Sequence, residues 1–386
     1  MGTAYIVEAV RTAGGRRKGA LASVHPADLG ASVLNALVDR AGVDPAAIED
    51  VIMGCVTQAG EQSFAFGRNC VLASKLPDSV PAVTIDRQCG SSQQSVQFAA
   101  QAIMSGTQDL VIAGGTESMT RVPMFSNKLL HEQAGIGEGP FPRSVLERFG
   151  VADFSQFTGA QMIADKYGYS REDLDVFALE SHHKAAAAID SGAFVEEIIP
   201  VLTPDGPFLV DEGVRRDTTM ETLALLKTLE EGGIITAGNA SQVSDGSSGL
   251  LIASEKALKD HALVPIAQLH HFSVSAGDPV IMLEEPIPAT RKALARAGLA
   301  LADVGLYEVN EAFTPVPMAW LQALDADPAC LNVNGGAIAL GHPLGASGTR
   351  LMTTMIHAMR KRGVRYGLQT MCEGGGIANV TILEAL

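Results

Sequence analysis

The strongest constraint on this chain is that it repeats itself. The segment R-A-G-V-D-P-A-A-I-E-D-V-I-M at 40–53 aligns without gaps on R-A-G-L-A-L-A-D-V-G-L-Y-E-V at 296–309. Each copy reads as a helix end, a turn and a buried strand. In both halves there follows a further strand, a reactive residue at a glycine turn, a long helix, another strand and a glycine cluster. A chain built this way is expected to fold as two similar halves that face each other, each supplying residues to one site. Over 1–118 the pattern alternates, with strands at Tyr5–Val10, Val51–Val56, Val80–Asp86 and Leu110–Gly114. Helices are predicted at Pro26–Ala41, Gly67–Leu76 and Ser91–Ser105. Such alternation predicts an α/β fold, a mostly parallel sheet covered by helices.

The residue types able to do chemistry gather at glycine turns. From Asn332 to Arg350 the chain reads N-V-N-G-G-A-I-A-L-G-H-P-L-G-A-S-G-T-R. So dense a run of glycine is a tightly folded loop that lets other groups approach the main chain, and His342 sits within it. From Ala346 the pattern predicts a helix, apolar at Leu351, Met352, Met355, Ile356 and Met359 and closed by a basic turn and Gly363. The next strand, V-R-Y-G-L-Q-T-M, leads to Cys372 and to E-G-G-G-I-A-N, whose N–H groups are suited to an anion. Far upstream, V-P-A-V-T-I-D runs into R-Q-C-G-S-S-Q-Q-S-V-Q-F-A-A-Q-A-I-M. That places Cys89 at a strand-to-helix turn, where the local potential favours thiolate over thiol.

Residues 119–243 break the rhythm. Val122–Gln156 is rich in Gly, Pro and Phe and has little periodicity, which predicts a loop region over a site or a subunit contact. Ser170 then reads as the N-cap of a long Ala-rich helix with Asp173 three residues on. His182 and His183 lie on that helix and are expected to be solvated or packed rather than catalytic.

These stretches resemble the thiolase family, from V-E-A-V-R-T near the start to the C-terminus. Besides the two cysteine motifs and G-H-P-L-G-A-S-G, the resemblance takes in G-G-T-E-S-M at 114–119, T-A-G-N-A-S at 236–241 and N-E-A-F at 310–313. It implies duplicated βαβαβαββ halves in a five-layered α-β-α-β-α core with an inserted loop domain. The expected division is 1–118 with 244–265, then 119–243 over the site, then 266–386. It implies an acyltransferase with Cys89 as the acylated nucleophile, His342 as its base and Cys372 as the acid/base for the α-proton. One oxyanion hole would use His342 and a water held by Asn310; the other would use the N–H groups of Cys89 and Gly374. Coenzyme A is the implied second substrate, with no resident cofactor and no metal. Ser241 matches a pantetheine contact, Arg215 the arginine beside the adenine, and Ala312 and Phe313 the channel wall. Arg215 and Arg216 also read as ordinary surface charges.

Two departures bear on substrate. Acetoacetyl-CoA-dedicated members carry a His-Met pair before a G-x-x-A-E segment in the covering loop, where this chain has F-S-Q-F-T-G-A-Q with Ser155-Gln156 at the tip. A wider acyl group is therefore expected, with Gln156 near it. The form C-G-S-S-Q-Q is closer to actinobacterial degradative thiolases, some acting on steroid-derived acyl-CoAs, and the motif at Cys372 ends G-G-G-I-A where a last glycine is more usual. The expected activity is cleavage of a 3-oxoacyl-CoA by coenzyme A through an acyl-cysteine. An acetyl-CoA acetyltransferase shares every catalytic residue, and a non-catalytic thiolase-like acyl-binding protein would be expected to lose Cys89 or His342. A net charge of −15 opposes nucleic acid or an anionic membrane as partner. No apolar run reaches the roughly 18 residues of a membrane span. Five cysteines without C-x-x-C or metal spacing read as reduced thiols. A cytoplasmic homodimer or homotetramer is expected.

Overall fold

The computed structural model describes residues 2–386. The first half contributes strands β1 (Tyr5–Thr12), β2 (Asp50–Gly54), β3 (Ala82–Ile85), β4 (Leu110–Ser118) and β5 (Ser244–Ala253), with helices α1 (Pro26–Ala41), α2 (Phe66–Ala73) and α3 (Ser91–Ser105). The segment before β5 holds α4 (Gln156–Tyr167) and α5 (Arg171–Asp190). The second half contributes β6 (Ala267–Ala276), β7 (Leu306–Val309), β8 (Tyr366–Glu373) and β9 (Ile377–Ala385), with α6 (Pro286–Ala297), α7 (Pro315–Leu324) and α8 (Ser347–Arg362). The strands pair in the order β7-β8-β9-β6-β1-β5-β4-β2-β3. The halves join where Tyr5 and Ile6 of β1 pair with Gln268 and Ala267 of β6.

The sheet is mixed, which corrects the expected mostly parallel order. Its main path is parallel at the two ends, β7 with β8 and β4 with β2 with β3, and antiparallel through the middle. The reason lies in the connections. A crossover helix returns the chain parallel, whereas a tight turn reverses it, and β9 follows β8 directly through Gly374–Gly376. β5 enters after the long insertion, from the opposite end of the sheet.

Strand alternation divides the side chains between layers. Leu110 and Ile112 of β4 pack outward with α1 and α2, while Val111 and Ala113 face inward onto α3 and α8. On the far side, α6 and α7 cover β8 and β9 through Ile287, Trp320, Leu368 and Ile382. The order is α-β-α-β-α. Because α3 lies in the middle layer, even its polar residues Ser92, Gln93, Gln94 and Gln97 are buried. Their amides are met by the second half: Gln93 Nε2 donates to Thr381 Oγ1 (2.9 Å) and Gln97 Nε2 to the Val380 carbonyl (3.2 Å).

Both copies of the repeat take one shape. A helix ends at a left-handed glycine (Gly42, Gly298), a short 3-10 turn follows, and then comes β2 or β7. Ser170 caps α5 as expected, its Oγ accepting from Asp173 N–H while Asp173 Oδ2 accepts from Ser170 N–H (3.2 and 2.8 Å). The stretch expected to be a loop, 122–156, instead contains helices Ser126–Ala134 and Arg143–Phe149. Leu129, Val145 and Phe149 on them face a cavity rather than the core, which blurs the periodicity that marks a core helix.

Candidate active site

Cys89 follows β3 at a turn where Gln88 is left-handed (φ 48°) and α3 begins at Ser91. Ser91 closes the turn, its Oγ accepting from Arg87 N–H (2.9 Å) and donating to the Gln88 carbonyl (2.6 Å). The Cys89 side chain lies on a cavity of about 880 Å³ whose wall carries Phe125, Phe141, Phe149, Phe154 and Phe157. Burial pushes the Cys89 thiol well above its ordinary range, and the neighbouring Cys372 and Glu373 add to this. The thiolate expected from the helix N-terminus is therefore corrected: desolvation outweighs the helix potential, and Cys89 is held as a thiol.

His342 is held from every side. Gly341 before it is left-handed (φ 85°), and a Cβ there would meet Ser244 Oγ at 2.6 Å, so glycine is required. The His342 N–H donates to the Gln242 carbonyl (3.1 Å). On the ring, Nδ1 stands 2.5 Å from Ser347 Oγ, and Ser347 Oγ donates to the Pro343 carbonyl (2.9 Å). With its proton committed to Pro343, Ser347 accepts from Nδ1–H, and this leaves the lone pair on Nε2. That nitrogen faces Asn310 Nδ2 at 3.3 Å, a donor to the same lone pair. Burial, helped by the Arg350 charge, lowers the His342 pKa to about 3, so the ring is neutral at physiological pH.

Asn310 follows β7 and is fixed by donating its N–H to the Thr370 carbonyl (3.2 Å). Its Oδ1 is buried without a hydrogen-bond partner among the described residues. Cys372 is the penultimate residue of β8 rather than the residue after it, and is 1% exposed. Burial and then Glu373 push its thiol up to about 12. Gly374 lines the same cavity as Cys89.

A second cavity, of about 750 Å³, holds His342, Ser241, Arg215, Ala312 and Phe313 on its wall. The two cavities share Met124, Gln156, Phe157 and Leu344, so they adjoin across one partition. Ser241 N–H donates to the Ala312 carbonyl (2.9 Å) and Thr314 N–H to the Asn239 carbonyl (3.0 Å), which zips T-A-G-N-A-S to N-E-A-F. Phe313 meets Phe157 edge to face at 5.6 Å. Gln156 opens α4 behind the Ser155 N-cap. The arginines separate in environment: Arg216 is paired with Asp190 (2.7 Å), while Arg215 is exposed at the cavity rim with its N–H on His182 Nδ1 (3.1 Å). His182 is packed, its pKa lowered by burial to about 4, and His183 is exposed.

The structure thus brings Cys89, Gly374, Gln156, His342, Ser241, Arg215, Ala312 and Phe313 onto two adjoining cavities, with Asn310 and Cys372 buried behind them. Several supports escaped sequence reasoning. Ser347, five residues beyond His342 at the start of α8, fixes its tautomer. Glu117, inside G-G-T-E-S-M, accepts from the N–H groups of Val56 and Thr57 (both 2.9 Å) and of Gly345 in the histidine loop (2.8 Å). Glu311, inside N-E-A-F, accepts from Ser181 Oγ (2.7 Å) and Asn332 Nδ2 (2.9 Å). Their motifs were visible, but the partners lie far off in the chain. Among the described residues no group of three or more His, Cys, Asp or Glu side chains is placed to hold a metal ion.

Residues 4–256 match the model of the thiolase N-terminal domain and residues 263–385 that of the thiolase C-terminal domain. The chain is 54% identical to the steroid 3-ketoacyl-CoA thiolase FadA6 of Mycobacterium tuberculosis, over 100% of this chain and 95% of that one. It is 42% identical to the acetyl-CoA acetyltransferase of Escherichia coli, with 100% of both covered. The crystal structure of the Bacillus anthracis acetyl-CoA acetyltransferase superposes with a TM-score of 0.91 at 37% identity, covering 100% of this chain and 99% of that one.

Proposed function

This chain belongs to the thiolase family, and from that premise we propose that it is a degradative thiolase, cleaving a bulky 3-oxoacyl-CoA with coenzyme A to acetyl-CoA and a shortened acyl-CoA. The observation that carries the substrate choice is the cavity of about 880 Å³, walled by phenylalanines, that opens onto Cys89. Its size falls in the range that encloses a drug-sized ligand, roughly 300–1,000 Å³, and far exceeds the needs of an acetyl group. The name carried by FadA6, with a steroid substrate, agrees with this wide chamber.

In this reading Cys89 Sγ attacks the C3 carbonyl while its proton passes to His342 Nε2. Moving a proton from a buried thiol held high to a buried imidazole held low is uphill, so the transfer accompanies attack on the carbonyl and no free thiolate persists. The C2–C3 bond then breaks. The shortened acyl group stays on Cys89, and the enolate of acetyl-CoA takes a proton at C2 from Cys372. Incoming coenzyme A gives its thiol proton to Cys372, attacks the acyl-Cys89 thioester, and Cys89 recovers its proton from His342. Asn310 with His342, and the N–H groups of Cys89 and Gly374, supply the two oxyanion sites. The second cavity takes the pantetheine arm past Ser241, Ala312 and Phe313, with Arg215 at the nucleotide end and Gln156 on the partition. Coenzyme A is a substrate here, and no resident cofactor is involved.

We assign Cys89 to one half (1–118 with 244–265), the cover to 119–243, and His342, Asn310 and Cys372 to the other half (266–386). A cytoplasmic dimer or tetramer completes the reading; the five unpaired cysteines support a reducing compartment. The competing reading, synthesis of acetoacetyl-CoA from two acetyl-CoA, is favoured by the relatives named acetyl-CoA acetyltransferase. Specificity constants for coenzyme A-dependent cleavage of acetoacetyl-CoA, longer linear and ring-bearing 3-oxoacyl-CoAs decide between them. One additional apolar contact is worth about tenfold or more, so the constant is expected to rise at least about tenfold from acetoacetyl-CoA to the preferred bulky substrate. A maximum at acetoacetyl-CoA overturns the degradative reading.

A further inference from the structure

The internal repeat pairs more than helices and strands. The spacing that lays residues 40–53 on 296–309 also lays Ser91 on Ser347, the first residues of the two central helices, and Glu117 on Glu373. Both carboxyls are fully buried, near the C-terminal ends of the equivalent strands β4 and β8. Each crosses to the opposite half. Glu117 accepts from Gly345 N–H in the histidine loop. Glu373 lies against the turn carrying Cys89, where a Cβ built on Gly90 would meet Glu373 Oε1 at 2.0 Å and its Cδ at 2.5 Å. The same spacing lays Cys89 on Gly345, so each carboxyl reaches the equivalent turn of the opposite half, Glu117 by a hydrogen bond and Glu373 by close approach to Gly90.

The two copies differ in how the carboxyl is held. Glu117 takes four donors: Val56, Thr57 and Gly345 N–H and Gln62 Nε2. Glu373 takes one backbone donor, Asn379 N–H (3.0 Å), with the Asn379 amide alongside. Its remaining neighbours are the thiols of Cys89 and Cys372, with Asp86 and Arg87 from the turn after β3. Where one copy is saturated, the other faces the chemistry.

We propose that Glu373 is a positioning residue: it braces the Cys89–Gly90 turn of one half against the Cys372 strand end of the other, and its carboxyl governs the proton chemistry of both thiols. Burial holds Glu373 well above the usual carboxylate range, so the resting site contains three neutral acids side by side. Ionising any one of them opposes ionisation of the others. Arg87 and the Asn379 N–H favour a Glu373 anion, and Asp86 disfavours it. The site is thereby biased toward passing a proton from Cys89 to His342 during attack rather than losing it beforehand. The proposal rests on acylation at Cys89, the reading given above.

The test is alkylation of Cys89 by iodoacetamide across pH, located by mass spectrometry, in native, Glu373→Gln and Gly90→Ala proteins, beside single-turnover acylation from acetyl-CoA. Glu373→Gln keeps the shape and cannot ionise, so the alkylation profile is expected to move about one pH unit lower, or about tenfold in rate at fixed alkaline pH. A residue that only packs would leave that profile in place. Gly90→Ala pushes the carboxyl aside and is expected to slow acylation at least about tenfold; adding Glu373→Ala should restore part of it, because the obstruction is gone. Coincident alkylation profiles for native and Glu373→Gln, or strictly additive effects of Gly90→Ala and Glu373→Ala, overturn the proposal. Absence of an acyl adduct on Cys89 in the native protein overturns the functional reading instead.

Discussion

Replacing Ser347 with alanine tests the orientation of His342 directly. Ser347 Oγ is the acceptor 2.5 Å from Nδ1, and removing it leaves a buried N–H without a partner. In the opposite tautomer Nε2–H would meet the Asn310 amide donor 3.3 Å away, and turning that amide to present its unpartnered Oδ1 would still leave Nε2 without the lone pair that takes the Cys89 proton. In the resting enzyme the lost bond is one between neutral groups. Once Nε2 has taken the Cys89 proton, Nδ1–H belongs to a cation and its bond is about twice as strong, so the loss falls more heavily on the transition state. A buried donor left unpaired costs about 1–3 kcal/mol, which is roughly a 5- to 150-fold fall in the acylation rate. Rapid-quench mass spectrometry of the Cys89 adduct measures that rate, and KM for the acyl-CoA is expected to stay within about twofold because Ser347 lines neither cavity. An acylation rate within twofold of native, in a variant that merely melts at lower temperature, would refute the tautomer argument.

Three further outcomes follow from the same geometry. Cys372→Ala is expected to be acylated at Cys89 yet to lose exchange of the α-protons of acetyl-CoA against deuterium; exchange at the native rate would make Cys372 a structural thiol. His342 and His182, with pKa values lowered to about 3 and about 4, stay neutral in the fold while the unfolded chain takes up protons near pH 6.5. The unfolded state therefore binds more protons below pH 6.5, and stability falls as pH drops through that value, by up to about 1.4 kcal/mol per histidine per pH unit; melting curves from pH 7.5 to 5 should show it, and His182→Asn should flatten the slope. Phe157→Ala breaches the partition between the cavities, so the preference for a bulky acyl group over acetoacetyl should shrink by about 10-fold; an unchanged ratio would place selectivity elsewhere.

Much of the architecture could be read from local patterns. The glycine that ends α1 and the one that ends α6 announce the duplication, and Ser170 with Asp173 announces the start of α5, because capping involves residues three apart. The turns of Cys89 and His342 were equally legible, since each stands beside a glycine shortly before one of the two central helices, α3 and α8. What stayed hidden depends on distant partners. Sheet direction turns on where β5 returns after the insertion, and no pattern within Ser244–Ala253 encodes that. The Cys89 thiol follows burial under a cover, not the helix N-terminus beside it. Ser347, Glu117 and Glu311 were written in the motifs, but only the fold shows which loop each one ties.

The joint between the half-sheets has a bearing on how the chain is made. β1 leaves the ribosome ahead of the other described strands, yet its main sheet neighbours are β5 at Ser244–Ala253 and β6 at Ala267–Ala276. At about 5–20 residues per second, roughly 10–50 s of synthesis separate β1 from those partners. Through that interval the apolar strand Y-I-V-E-A-V-R-T offers unpaired edges that invite pairing with other nascent chains. The sheet therefore cannot close around β1 until β5 and β6 have been made, and the edges of β1 stay open to misplaced pairing for the length of that wait.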